Sequence, residues 1–216
     1  HENRGMSPRG KLLRQILIAL IPTLYAMQMY GTVVILGSKS FDIGFLYPIL
    51  AVFVITGASN AYNLTDGLDG LAISVGIPAF IACGIISFLG GHSVVAIVCA
   101  SAVGASLGFL KYNKPKAQVF MGDTGSLALG GLLGTLAILG RCELLLAIFG
   151  GVFVAETLSV IIQVTSFKLT GKRVFKMSPI HHHFELSGHS EIRIVKEFTI
   201  ISALLSALAV LLYIIL

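Results

Sequence analysis

Charge is what this chain lacks most. Asp, Glu, Lys and Arg make up 12% of its 216 residues, where an average soluble domain carries about a quarter. Hydrophobic residues account for 56% and a further 24 residues are Gly, so there is too little polar surface to cover even one domain in water. With a mean hydropathy of +0.92 a soluble protein is excluded, and the bilayer is the expected solvent. Cysteine is scarce as well. Cys83 and Cys99 lie inside apolar runs and Cys142 beside Arg141, with no C-x-x-C pair, which excludes a disulfide framework and a cysteine metal site. The net charge is +5, yet no basic helix and no alternation of aromatic with basic residues exists, so no nucleic-acid partner is expected. Nor is a signal-peptide layout expected from these residues, since no short apolar core is followed by a small-residue cleavage site. The chain opens with His instead of Met, and the expectation is that an N-terminal segment is missing.

What is present is a series of apolar runs, at 16–36, 45–61, 71–89, 94–110, 125–140, 144–167 and 198–216. Seven spans of about 20 residues would use about 140 positions, in proportion to the apolar count. The expected fold is therefore all-α, a single polytopic membrane domain over 1–216 with seven transmembrane helices. The fifth run carries Gly130, Gly131 and Gly134, a composition that lets helix backbones approach closely in lipid and places it inside the bundle. The sixth is long and carries Glu156 and Gln163, and is expected to bend or protrude. An ionisable residue such as Glu156 inside an apolar run is costly in lipid, and either functional use or helix bending accounts for it.

Loop charge orients the bundle. Thirteen of the 15 basic residues, from Arg4, Arg9, Lys11 and Arg14 to Arg193 and Lys196, fall on one side, against Lys39 and Arg141 on the other. That asymmetry puts the first side in the cytoplasm.

Three loops on that side carry chemistry. Asn60, Asn63, Asp66 and Asp69 recur every third position, so neighbours in the series face nearly alike on a helix, and the ends of the series converge only if Gly67 and Gly70 break it. Two carboxylates at a water-facing helix end suit Mg²⁺ holding a diphosphate; turn and cap roles for Asp66 and Asp69 account for them equally. Next come Asn113, Phe120, Gly122 and Asp123. Asp123 stands just before a helix start, as an N-cap or as a carboxylate beside amides that bind a metal and phosphate oxygens. Phe120 either stacks on a base or packs at the interface. Third is the cytoplasmic loop 168–197 with His181, His182 and His183. It lacks the helical His spacing of zinc enzymes, so imidazoles reaching toward phosphate or sugar, or a purely structural turn, are the readings left.

Taken together, N-A-x-N-L-T-D-G-L-D-G-L-A at Asn60–Ala72, V-F-M-G-D-x-G-S-L-A-L-G-G at Val119–Gly131 and S-P-I-H-H-H-F-E at Ser178–Glu185 resemble the phospho-N-acetylmuramoyl-pentapeptide transferase family. That family is a branch of the polyprenyl-phosphate N-acetylhexosamine-1-phosphate transferase superfamily. The P-I-H-H-H-F-E loop points to it and away from the N-acetylglucosamine-1-phosphate branch. The resemblance implies Mg²⁺-dependent transfer of phospho-MurNAc-pentapeptide from UDP-MurNAc-pentapeptide to undecaprenyl phosphate, giving lipid I and UMP. It implies a homodimer in a bacterial cytoplasmic (inner) membrane with the active site on the cytoplasmic face.

Carried over residue by residue, the resemblance makes Asp123 the Mg²⁺ ligand. It makes Asp66, Asp69, Asn60 and Asn63 the polar floor, Phe120 and Asn113 part of the uridine pocket, and Gly122 a substrate-binding residue. His182 and His183 belong to the loop that closes on substrate, and Lys11 matches a basic residue near the site. Family members have ten spans, the third ending in an adjacent Asp pair. No Asp-Asp occurs here, so the seven runs correspond to the fourth through tenth, and the chain alone is expected to have little activity. A polytopic transporter using Glu156 and the His loop is the alternative from another class. Seven of the ten acids lie on the expected cytoplasmic side, not at mid-membrane.

Overall fold

The computed structural model describes residues 7–37 and 39–216; Arg4, one of the basic residues that orient the bundle, lies outside the described residues. The chain is almost wholly helical. Helix α1, Pro8–Tyr30, starts where Ser7 accepts a hydrogen bond from Gly10 N (3.2 Å) with Pro8 in the first turn, and it stops at Gly31, whose φ of 68° no helix continues. The first apolar run therefore reaches back to Pro8 and does not extend to Leu36. Its last residues, Val33–Leu36, form strand β1, which pairs antiparallel with β2, Lys39–Asp42. β-branched Val33, Val34 and Ile35 favour a pleated strand over a further helical turn.

Helix α2 covers Leu46–Thr65, α3 Leu71–Leu89, α4 Ser93–Asn113 and α5 Gly122–Leu139. The sixth apolar run is divided: α6, Leu146–Phe149, ends at Gly150, and α7 runs from Gly151 to Thr170. Adjacent glycines mark the interruption within the run expected to bend or protrude. Within 168–197 lies a short helix, α8, Ile180–Glu185, and α9, Glu191–Ile215, begins before that segment ends.

Six of these helices are long and apolar enough to cross a membrane: α1, α3, α4, α5, α7 and α9. The expected seventh, α2, is 20 residues long but carries Thr56, Ser59, Asn60 and Asn63, and these polar positions lower its hydropathy below the other six. The protein is an all-α polytopic membrane protein.

Helix α3 is central. Most of its residues are buried, whereas α4 and α9, which flank it, are mostly open on their outer faces. Phe80, Cys83 and Ile86 are fully enclosed there, and Ser202 on α9 donates to the Val75 carbonyl at 2.9 Å. Helices α2 and α5 meet in close contact. A Cβ on Gly130 would lie 2.8 Å from Ser59 Cα, and one on Gly134 2.8 Å from Ile55 Cα, so these two glycines let the backbones meet; Gly131 leaves ordinary contact distance. This contact sets the spacing between the C-terminal end of α2 and the N-terminal end of α5.

Candidate active site

Where α2 ends, its polar face meets the start of α5 and the first turns of α1. Lys11 Nζ on α1 donates to Asn63 Oδ1 (3.2 Å) and to Asp123 Oδ2 (3.1 Å). Asn63 in turn donates through Nδ2 to Asp123 Oδ1 (3.0 Å) and to Ser126 Oγ (2.8 Å), and Ser126 donates to the Gly122 carbonyl (2.8 Å). One turn deeper, Asn60 gives a hydrogen to Gln15 Oε1 (2.9 Å), and Gln15 to Ser59 Oγ (3.3 Å). Of the expected residues, Lys11, Asn63 and Asp123 thus share one network with Ser126, and Asn60 belongs to a second with Gln15 and Ser59. Gln15, Ser59 and Ser126 are residues the sequence reading did not single out, although Gln15 stands four residues from Lys11 on the same face of α1 and Ser126 closes the D-x-G-S motif.

Asp123 is not an N-cap. Met121 occupies that position with no side-chain cap bond, and Asp123 sits inside the first turn of α5, its side chain 72% exposed and aimed at Lys11. A negative charge there is favoured by the helix dipole. The series of polar residues breaks at its second half, as Gly67 and Gly70 require: α2 ends at Thr65, Asp66 caps it, and Gly70 at φ 76° starts α3. Asp66 stays close to Asp123. Burial, and then the Asp123 charge, push the Asp66 pKa up to about 6. Asp69 turns toward the second loop and accepts from Ala117 N at 2.9 Å, so it ties the two loops together.

Asn113 is buried and donates to the Val119 carbonyl (2.9 Å), leaving its Oδ1 without a partner. Phe120 is 73% exposed and Gly122 has a φ of 62° with open space where a side chain would be. This flank is uncovered beside the carboxylates, with an aromatic face available for stacking.

The His triplet divides in an unexpected way. His182 hydrogen-bonds Glu185 within α8, and His183 Nδ1 accepts from Lys176 N (3.1 Å). Neither bonds to the acids of the other two loops among the described residues. His181 is the one that reaches the first loop: a Cβ on Gly67 would lie 2.9 Å from His181 Cε1. The absence of a side chain at Gly67 is what admits the ring.

Helices enclosing a polar, mixed-charge cluster at one end of the bundle define a polytopic membrane protein. Glycosyl transferase family 4 matches residues 3–141, and the chain belongs to that family. Among curated proteins it is 53% identical over 211 residues to the phospho-N-acetylmuramoyl-pentapeptide-transferase of Bacillus licheniformis. It is 51% identical to the protein of that name from Geobacillus thermodenitrificans and 52% identical to that of Oceanobacillus iheyensis. In each case 96% of this chain is covered but 65% of the relative, so the chain spans just under two thirds of the length of the curated relatives it matches.

Proposed function

We propose that this chain carries the substrate-handling part of a phospho-N-acetylmuramoyl-pentapeptide transferase. In this reading phospho-MurNAc-pentapeptide passes from UDP-MurNAc-pentapeptide to undecaprenyl phosphate, with lipid I and UMP as products. The observation that carries the reading is the cluster of Lys11, Asn63, Asp66 and Asp123 at one end of a membrane bundle, in a chain whose relatives bear that name. The cluster faces the cytoplasm of a bacterium, in keeping with the uneven spread of basic residues, and α2 crosses the bilayer as a seventh span.

The donor set fits Mg²⁺. Asp123 is open to a ligand, and Asp66 is a second carboxylate held near it at an electrostatic cost that a divalent cation relieves. No group of three His, Cys, Asp or Glu among the described residues could hold a metal alone. That matches an ion which takes one or two carboxylates and completes its shell with phosphate and water. Bound there, Mg²⁺ supplies charge neutralisation at the diphosphate.

The chain's own groups do the positioning. Lys11 brings a positive charge to the phosphate oxygens, and the amides of the first turn of α5 add partial positive charge. Phe120 stacks on the uracil while Asn113 supports the loop that presents it. An apolar groove of about 340 Å³ between α2, α5 and α7, lined by Phe53, Ala58, Ala61, Leu133, Phe153 and Ile161, suits a polyprenyl chain; Ala61 lies one turn from the end of α2. The lipid phosphate, held at the cluster, attacks the β-phosphorus and UMP leaves. Catalysis of this kind rests on alignment and charge compensation.

The test offers radiolabelled UDP-MurNAc-pentapeptide and UDP-N-acetylglucosamine in parallel to membranes bearing the protein extended to the length of its relatives, with undecaprenyl phosphate. Label entering lipid from the first sugar only is expected. Transfer from the second alone would move the protein to the other branch of the superfamily, and transfer from neither would end the proposal.

A further inference from the structure

The C-terminal turns of α7 are open on most sides. Ile161, Ile162, Val164, Phe167 and Leu169 are all exposed and spread around more than half of the helix circumference, with Leu169 79% open. An apolar surface of that breadth at the end of a membrane span belongs in lipid. The chain itself covers the remaining side. Gly171, left-handed at φ 69°, stops the helix and turns the backbone round. Ser166 Oγ then donates to the Lys172 carbonyl (3.0 Å), and Lys172 N donates to Thr170 Oγ1 (3.2 Å). Buried Gln163 takes hold of the returning segment: its Oε1 accepts from Val174 N and Phe175 N, and its Nε2 donates to the Phe175 carbonyl, each at 2.9 Å. Since Gln163 lies seven residues before Thr170, the segment comes back about 10 Å along the helix.

This hook is basic and uncompensated. No Asp or Glu occurs from 157 to 184, and none of Lys168, Lys172, Arg173 and Lys176 pairs with a carboxylate among the described residues. Lys176 is committed to the Leu186 carbonyl (3.0 Å). The other three are exposed, beside the open apolar side chains of Phe167, Leu169 and Val174. An excess of positive charge on one side of the membrane would explain the residue types but not their fixed placement, because a loose loop serves that purpose equally well. Non-helical backbone at membrane depth needs internal partners, and Gln163 supplies them. The clamp therefore sets the hook against the bilayer surface and not out in water, which favours a lipid over a soluble anion or a nucleic acid.

We infer that the hook after α7 is a headgroup site for an anionic phospholipid, whose phosphodiester lies among Lys168, Lys172 and Arg173 while its acyl chains lie along Phe167 and Leu169. Gln163 touches no lipid headgroup; it holds the backbone that presents the cations. The inference does not depend on the transferase reading.

The chain has no Trp, so Leu169→Trp places a single fluorophore at the site on an exposed position. The 216-residue chain bearing it goes into vesicles of phosphatidylcholine and phosphatidylglycerol in equal parts, with bromine quenchers carried on one lipid or on the other. Each basic residue near a membrane surface adds about fivefold to anionic-lipid affinity, so three should favour phosphatidylglycerol at this position by at least about tenfold at low salt. Added Lys168→Gln, Lys172→Gln and Arg173→Gln together should bring the two lipids level, whereas Lys39→Gln in β2 should change nothing. Gln163→Leu keeps every charge but frees the hook, and should lose most of the preference. Should that variant fail to fold, Ser166→Ala, which releases the Lys172 carbonyl, takes its place. Equal quenching by the two lipids in the otherwise unchanged chain overturns the inference, and so does a preference that survives loss of the three cations. A preference untouched by freeing the hook would reduce it to diffuse charge and overturn the built site. Relief of quenching by millimolar glycerol 3-phosphate would make this a site for free phosphate, which also overturns it.

Discussion

Asp123→Asn separates structure from chemistry at the centre of the site. The structural cost is small by construction. The Lys11–Asp123 pair has side chains 23% and 72% exposed, and pairs that open to water contribute about 0–1 kcal/mol. Loss of a charge in the first turn of α5 costs about 0.3–1 kcal/mol more. The hydrogen bond from Asn63 Nδ2 to Oδ1 survives, because the Asn oxygen accepts it as the carboxylate did. Folding should therefore weaken by no more than about 2 kcal/mol. If Asp123 holds the cation that neutralises the diphosphate, the barrier should rise by about 3–4 kcal/mol, a loss of roughly a hundred- to a thousandfold in turnover. The assay is lipid-linked sugar formation by the protein extended to the length of its relatives, at saturating nucleotide sugar over a range of Mg²⁺, with thermal unfolding measured alongside. A variant that keeps more than about half the wild-type turnover at saturating Mg²⁺ would refute a ligand role for Asp123.

The α2–α5 contact predicts that Gly130→Ala, whose Cβ would lie 2.8 Å from Ser59 Cα, destabilises by about 1–3 kcal/mol. Gly131→Ala, whose Cβ would lie 3.9 Å from Ser59 Cβ, at ordinary contact distance, should be nearly silent; equal melting temperatures for the two variants would contradict the packing described. Glu143, in the turn after α5, is buried with both carboxylate oxygens unpartnered, and burial pushes its pKa up to about 7. The folded state then binds this proton more tightly than the unfolded state, so stability is full below about pH 4.5 and declines as pH rises through about 7. Glu143→Gln should remove that decline and melt higher than wild type at pH 8 by an amount equivalent to about 2–3 kcal/mol, which thermal scans at pH 5 and pH 8 would read.

Much of the helical layout was legible because apolar runs long enough for a bilayer have few alternatives to helix. The exceptions are local. Val33–Leu36 continues the hydrophobicity of the first run, and only the positive φ at Gly31 and the pairing with Lys39–Asp42 turn it into a strand. Gly150 and Gly151 read as ordinary small residues until they divide α6 from α7. In the site, the spacing of Asn60 and Asn63 pointed both at one side of α2, and they do face α1 and α5. Neighbours in the His triplet look equivalent on paper, so spacing gave no ground for separating His181 from His182 and His183. The distinction arises from Gly67 and Glu156, both remote along the chain, which give one ring a place and a partner. Lys11 was marked by resemblance, and its contact with Asp123 spans 112 positions that no local pattern could bridge.

The planar amide of Asn63 uses its oxygen for Lys11 and its nitrogen for both Asp123 and Ser126. Since the amide is rigid, it cannot swing to follow one partner without straining its bonds to the others. Drawing Lys11 toward an incoming anion leaves Asp123 Oδ2 without its cationic neighbour while Asn63 keeps the carboxylate aimed. Under the proposed function the site would exchange counterions, arrival of negative charge on one side uncovering negative charge on the other. Vacant, the lysine keeps that carboxylate from standing as an unbalanced charge at the bilayer surface.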